Sequence, residues 1–188
     1  RMRQMIQLSE AVSPCVLWID EIDKAFSGID NQGDSGTTSR VLATFITWLS
    51  EKVSPVFVVA TANNIDWIPP EILRKGRFDE MFFLNLPTRE EREAIFQVHL
   101  AKYRPTSVQE FQMSLLGQLS KDFSGAEIEQ VVIEAMRLGF NENREFNNED
   151  ILTSIQNLVP LARTKSKDIE ILKKWSESGN VTSASRYN

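Results

Sequence analysis

The run Cys15-Val16-Leu17-Trp18-Ile19 contains no polar side chain and stops at two adjacent carboxylates, Asp20 and Glu21. Strict alternation would mark a strand with one face in water. A continuous apolar run instead predicts a strand covered on both faces, as in parallel sheets flanked by helices. A second such run, Val56-Phe57-Val58-Val59-Ala60, follows Pro55 and leads into Thr61-Ala62-Asn63-Asn64. Between them Arg40 to Lys52 reads as a helix, with Val41, Leu42, Phe45, Ile46 and Leu49 inward. Upstream, residues 1–12 read as a helix broken at Ser13-Pro14. Residues 27–39, rich in Gly, Ser and Thr, read as a loop. Pro69-Pro70 suits the first turn of a short helix over Trp67 to Arg74, and Met81 to Leu86 reads as a third strand ending at Pro87.

Beyond Pro87 the texture changes. Thr88-Arg89-Glu90-Glu91 has the form of a capping box, opening a helix to about Tyr103. Further helices fit Val108 to Leu119, Gly125 to Gly139 and Asn148 to Val159. Strands interleaved with helices and then helices alone indicate an α/β layer followed by a helical subdomain. The expected divisions are residues 1–87, residues 88–160 and a polar C-terminal tail, residues 161–188. In that tail a short helix fits Lys167 to Trp175, and the last ten residues are expected to be loose. A tail that docks a partner is the competing reading.

Composition removes several function classes. The 188 residues carry 21 Lys plus Arg against 26 Asp plus Glu, a net charge of −5 that lacks the basic excess of nucleic-acid binders. Cys15 is the only cysteine and His99 the only histidine, which excludes an intrachain disulfide and a Cys/His zinc cluster. The longest uncharged run, Val53 to Ile65, has thirteen residues, too few for a membrane-spanning helix. Asp20, Glu21 and Asp23 lack the spacing of a calcium loop. The four tryptophans read as packing residues rather than a stacking platform.

Three constellations could carry chemistry. Asp20 and Glu21 fall at the C-terminal end of a strand, where open α/β sheets bind ligands; alone, they read equally as an acidic turn. Asn63 follows the second strand, where its amide could orient a water, although an Asn after a strand is commonly a turn former. Arg74 and Arg77 flank Gly76 in Leu73-Arg74-Lys75-Gly76-Arg77-Phe78-Asp79 and could both address one anion, or form a solvated basic turn.

Taken in order, hydrophobic run-Asp20-Glu21, Ala60-Thr61-Ala62-Asn63 and Leu73-Arg74-Lys75-Gly76-Arg77-Phe78-Asp79 resemble the successive motifs of the AAA ATPases. Pro14-Cys15, the loop and helix from Gly33 to Glu51, and Phe123-Ser124-Gly125-Ala126-Glu127 add to the likeness. Lys24-Ala25-Phe26-Ser27-Gly28, Thr44 to Lys52 and Ser54 to Asn64 look like one subfamily, encoded in algal plastid genomes and in cyanobacteria as a hypothetical chloroplast reading frame. Val159-Pro160-Leu161-Ala162 and Ser183-Ala184-Ser185 also fit that group. The resemblance covers about residues 1 to 160. It implies an α/β fold, the C-terminal portion of a P-loop AAA module with a partial parallel sheet, followed by an α-helical lid.

The resemblance further implies ATP and Mg²⁺ as cofactors. Asp20 would be the Walker B magnesium ligand, Glu21 the catalytic base and Asn63 the residue that places the attacking water. Arg74 and Arg77 would act as arginine fingers on ATP held by a neighbouring subunit, which implies a homo-oligomeric ring, a hexamer by family likeness. His99 stands where relatives carry a histidine beside the nucleotide, the bland alternative being a histidine packed on a helix. Gly125 and Ala126 match the start of the lid helix that contacts nucleotide. The implied role is remodelling of an unknown protein client, in a plastid stroma or a cyanobacterial cytoplasm. A nucleotide-gated scaffold with little turnover is the alternative. The sequence contains no G-x-x-x-x-G-K-[ST] phosphate loop, which the family places upstream of Arg1, so these residues alone are expected to bind ATP weakly and hydrolyse none.

Overall fold

A computed structural model describes residues 2–26, 35–74, 76–177 and 181–185. They divide into two compact units, residues 1–81 and 82–188.

In the first unit, helix α1 (Met2–Ala11) is followed by strand β1 (Cys15–Ile19), helix α2 (Ser35–Glu51) and strand β2 (Val56–Ala60). The strands pair in parallel, with Cys15 opposite Val56 and Ile19 opposite Ala60. Their inward residues Cys15, Leu17, Ile19, Val56 and Val58 join a core built from Ile6 of α1 and Phe45, Trp48 and Leu49 of α2. Trp48 is buried and donates its indole N–H to Glu10 Oε1 at 3.0 Å, so its polar edge is satisfied.

The outward side departs from expectation. Burial along β1 alternates, and Val16, Trp18 and Phe57 are 66%, 61% and 67% exposed. Among the described residues the sheet of this unit has two strands and is covered on one face. Helix α2 also begins earlier than its apolar spacing indicates, since residues 35–39 of the expected loop are helical; residues 27–34 of that loop lie outside the described residues. The short helix expected over Trp67 to Arg74 is replaced by a 3-10 turn, Ile65–Trp67, and further turns. Asn64 caps the 3-10 turn by accepting from the Asp66 N–H at 3.0 Å. Ile68 then stays extended, as the residue before Pro69 must.

The second unit opens with strand β3 (Phe82–Phe83), shorter than the run Met81 to Leu86 suggests. Helices α3 (Arg89–Tyr103), α4 (Met113–Leu119), α5 (Gly125–Asn141) and α6 (Asn148–Asn157) enclose Phe96, Leu100, Leu116, Ile128, Val131, Val132 and Ile151. The helix expected over Val108 to Leu119 is divided into a 3-10 turn, Val108–Glu110, and α4. Helices α7 (Leu161–Thr164) and α8 (Ser166–Ser176) follow, and strand β4 (Thr182–Ser183) pairs in parallel with β3. The final ten residues are therefore not uniformly loose. Residues 178–180 and 186–188 lie outside the described residues.

Local chemistry explains the helix borders. Thr88, Ser124 and Asn147 each form a full capping box with Glu91, Glu127 and Asp150, so the orphan amides of α3, α5 and α6 are met by side chains. Arg92 is buried with no salt bridge among the described residues, and burial lowers its pKa from the ordinary value. It donates twice to Gly117 O in α4, at 3.1 and 2.8 Å, and once to Pro87 O, just before α3, at 2.7 Å. A Cβ on Gly139 would meet Phe146 N at 2.7 Å, so α5 and the following loop approach closely only because that residue is glycine.

Two outcomes test this packing. Arg92→Met should lower unfolding stability by about 2–3 kcal/mol, because three hydrogen bonds to carbonyls disappear while the apolar stem remains; urea denaturation measures it. Arg144 grips Asp150 through two hydrogen bonds, at 2.6 and 2.8 Å, and holds that carboxyl below its ordinary pKa. A depressed folded pKa contributes stability above the unfolded value and loses it as pH falls. Asp150→Asn should therefore destabilise by about 1–3 kcal/mol at neutral pH. The gap from the unmodified chain should narrow as pH drops through the carboxylate range, and a pH-independent gap would contradict the ion pair.

Candidate active site

Because β1 and β2 run in parallel and in register to Ile19 and Ala60, the chain leaves the two strands side by side. The Thr61 N–H donates to Ile19 O at 3.0 Å and the Ile22 N–H donates to Thr61 O at 2.9 Å, which continues the pairing past the strands. The Thr61 side chain then bridges both carboxylate residues. Its hydroxyl donates to Asp20 Oδ1 at 2.5 Å and accepts from the Glu21 backbone N–H at 3.0 Å. Asp20 is exposed and Glu21 half-buried.

Glu21 adopts a left-handed backbone, φ 51° and ψ 51°, that costs a non-glycine residue free energy and must be held by its surroundings. That conformation carries the chain into the 3-10 turn Ile22–Ala25 and leaves the Glu21 side chain at the strand ends. Glu21 Oε1 accepts from Asn63 Nδ2 at 3.3 Å, and Oε2 pairs with Lys24 Nζ at 2.5 Å. The hydrogen bond to Glu21 raises the Lys24 pKa from its ordinary value. One turn deeper, Asp23 is 2% exposed and accepts from the Asn64 N–H at 3.1 Å through Oδ2, so the segment after β1 is tied to the segment after β2 a second time.

The structure thus brings Asp20, Glu21 and Asn63 together. Arg74 and Arg77 lie in the same unit, in the turn region after Pro69-Pro70. Arg77 Nη1 donates to Glu71 O, and the Arg74 side chain is exposed without a hydrogen bond or ion pair among the described residues. Between them Gly76 has φ +90° with open space where a Cβ would stand, so the turn needs glycine for its backbone rather than for room. Lys75 lies outside the described residues.

His99, Gly125 and Ala126 belong to the second unit. His99 is half-buried on α3; its Nδ1 stands 3.7 Å from Glu129 Oε1, too far for a hydrogen bond, and has no hydrogen-bond partner among the described residues. Gly125 is the first residue of α5, next to the cap residue Ser124, and Ala126 is exposed. A Cβ on Gly125 would touch only Ile95 at 3.8 Å, so packing alone does not demand glycine there.

Sequence reading missed Thr61, Lys24, Asp23 and Asn64 as parts of this cluster. Thr61 stood within a quoted motif, but its bridging depends on strand register, which no local pattern discloses. For a divalent cation the chain offers a sparse site. No group of three His, Cys, Asp or Glu side chains is assembled among the described residues. Mg²⁺ is commonly held through one or two carboxylates together with phosphates and waters, a mode that exposed Asp20 fits.

Comparison with known proteins places the arrangement. Residues 1–86 match the model of the ATPase family associated with various cellular activities (AAA). The AAA domain-containing protein ycf46 of Guillardia theta is 61% identical over 185 residues, covering 98% of this chain and 37% of that protein. The proteasome-activating nucleotidase of Sulfurisphaera tokodaii is 28% identical over 179 residues, 92% of this chain and 45% of that protein. Among solved structures, the FIGL-1 AAA domain superposes with a TM-score of 0.75 at 18% identity, covering 94% of this chain and 61% of that one, which shows a shared fold. The chain spans less than half the length of either sequence relative. The α/β expectation agrees with these likenesses. No helix among the described residues is long and apolar enough to cross a membrane.

Thr61→Val keeps the β-branched shape but removes the hydroxyl, leaving Asp20 without its donor and the Glu21 amide without its acceptor. Thermal or urea unfolding should register a loss of about 1–2 kcal/mol. An unchanged midpoint would mean that the bridge is not formed in solution.

Proposed function

This chain belongs to the AAA family through its first 86 residues, and from that premise we propose that the whole protein is a Mg²⁺-dependent ATPase that works as a homo-oligomeric ring, a hexamer. The observation that carries the reading is the pair Asp20 and Glu21, bridged by Thr61 and flanked by Asn63 at the ends of two parallel strands. One carboxylate faces solvent, and the other lies within reach of an amide that can share a water with it.

In this reading Asp20 holds the metal, which when bound neutralises charge on the phosphate oxygens. Glu21 accepts a proton from water as the water oxygen attacks the γ-phosphorus. The bond from that phosphorus to the β–γ bridging oxygen breaks, giving ADP and inorganic phosphate. Asn63 orients the water together with Glu21. Arg74 and Arg77 serve a nucleotide held by the adjacent subunit, with planar guanidiniums suited to spreading phosphate charge. Exposed Arg74, without a partner on its own chain among the described residues, is in keeping with that role. His99, Gly125 and Ala126 contact the nucleotide from the helical unit. The phosphate loop belongs to the rest of the protein, so residues 1–188 alone are inactive. The likeness to a proteasome-activating nucleotidase supports a mechanical use of the cycle, the remodelling of a protein client. The likeness to the ycf46 protein of an alga supports a plastid or cyanobacterial setting.

One observation favours the second reading, an ATP-gated scaffold with little turnover. Both carboxylate oxygens of Glu21 are engaged, Oε2 by Lys24 at 2.5 Å and Oε1 by Asn63 at 3.3 Å, so an attacking water has to share or displace one of these contacts.

ATP turnover by the full-length protein separates the two. Glu21→Gln should retain ATP binding and lower turnover about 10²–10⁴-fold. Arg77→Ala should lower it by about 10³–10⁵-fold, the range of an arginine finger. Specific activity should rise with protein concentration, because each site borrows a cation from a neighbour. ATP binding with no turnover that either substitution reduces would establish the scaffold.

A further inference from the structure

The C-terminal segment is held at both ends by carboxylates that already have a structural task. Glu127 Oε2 accepts from the Ser124 N–H at 2.7 Å to close the cap of α5, while its Oε1 accepts from the Leu161 N–H at 2.6 Å. Glu91 Oε2 accepts from the Thr88 N–H at 2.8 Å to close the cap of α3, while its Oε1 accepts from the Ser185 hydroxyl at 2.6 Å. Between these two points, Ile169 and Leu172 of α8 form one wall of a groove of about 260 Å³. Its other walls come from residues 83–87 and from Ser124 and Gly125 at the start of α5. Beside the groove, β4 adds to the edge of β3, and the Ala184 N–H donates to Phe83 O at 3.0 Å.

The same details make this attachment separable from the fold beneath it. Each glutamate caps its helix through one oxygen and holds the tail through the other, so departure of the tail leaves both capping boxes intact. Helix α8 has no fully buried residue, and Leu161 and Ile171 are 54% and 46% exposed. The β3–β4 ladder is two residues long. Few buried contacts and a short ladder are the marks of a segment that opens well below the free energy of global unfolding. Burial works to raise the Glu127 carboxyl, yet the hydrogen bonds from Leu161 and Ser124 outweigh it and keep the group ionised at neutral pH.

We propose that residues 161–177 together with residues 181–185 act as a releasable strap, latched by Glu91 and Glu127, that covers the β3 edge and closes the groove beside Gly125. Strap release opens the lid helix start to its ligand. This second step rests on the reading of Gly125 and Ala126 as nucleotide contacts. The strap itself does not.

The test uses the full-length protein with the pair Leu161→Pro and Ser185→Ala. Proline at the first position of a helix is tolerated and lacks only the N–H, so the exchange removes the latch without breaking α7. A second pair, Ile169→Ser with Leu172→Ser, strips the groove wall instead. Limited proteolysis and hydrogen exchange should show cleavage or exchange within 161–185 at least tenfold faster in both, with α3 and α5 protected as before. Rates equal to those of the unmodified protein, or equal loss of protection in α5, would overturn the strap. With a fluorescent ATP analogue as probe, both pairs should speed dissociation severalfold; unchanged dissociation from a released strap would overturn the gating. A protein that binds no nucleotide with the strap either docked or released would defeat the proposed function and the gating together, while proteolysis still decides the latch.

Discussion

The Thr61 hydroxyl is the smallest group on which the candidate site depends, and it works only because two strands are parallel and in register. Antiparallel pairing would send the chain out at opposite ends of the sheet. A slip by one residue would turn Thr61 to the other face. In the observed register one hydroxyl donates to Asp20 and accepts from the Glu21 amide, so a single neutral group fixes the acidic pair. The left-handed backbone of Glu21 is held by that bridge and by the continuation of pairing at Ile22. Strain of this kind persists only where surrounding contacts over-determine it. The buried Asp23 contact to Asn64 supplies the second tie.

Much of this was legible in the sequence for identifiable reasons. The two apolar runs specify strands because β-branched and aromatic residues favour extended backbone, and each ends at the residue where polarity begins. The capping box Thr88-Arg89-Glu90-Glu91 is read off spacing alone, since both partners sit within one turn. Gly76 between two arginines announces a turn that demands a positive φ. What could not be read is non-local. The exposure of Trp18 depends on what lies over the sheet, and its neighbours in sequence carry no record of that. The early start of α2 at Ser35 runs against intrinsic preference, since Gly, Ser and Thr are weak helix formers. Over residues 65–74, Pro69-Pro70 suited a helix start, whereas the extended residue that proline requires before it, together with the Asn64 cap, favoured turns.

The polar tail offers a sharper lesson. Composition argued for a loose end, because few of its side chains can contribute to a core. Its attachment uses another resource, the unused second oxygens of cap carboxylates and the open edge of a two-residue strand. Neither is visible as hydrophobicity. A carboxylate accepts several hydrogen bonds, so a glutamate placed to finish a helix start can serve a second segment at little extra cost. Attachment by such means is specific in direction and weak in free energy, which suits a segment that has to leave.

The acidic pair shows the same economy in charge. Two adjacent carboxylates at one sheet edge repel each other, and the structure answers with a neutral hydroxyl on Asp20 and an exposed ammonium on Glu21. An exposed ion pair of this kind contributes little to folding. Its importance lies in position, for the ammonium occupies one oxygen of the Glu21 carboxylate while Asn63 occupies the other. Under the proposed reading, a water shared by Glu21 and Asn63 reaches the carboxylate beside that ion pair. Phosphate oxygens are themselves acceptors for an ammonium and would compete for Lys24. On that reading a bound phosphate and Glu21 would share one ammonium, that of Lys24.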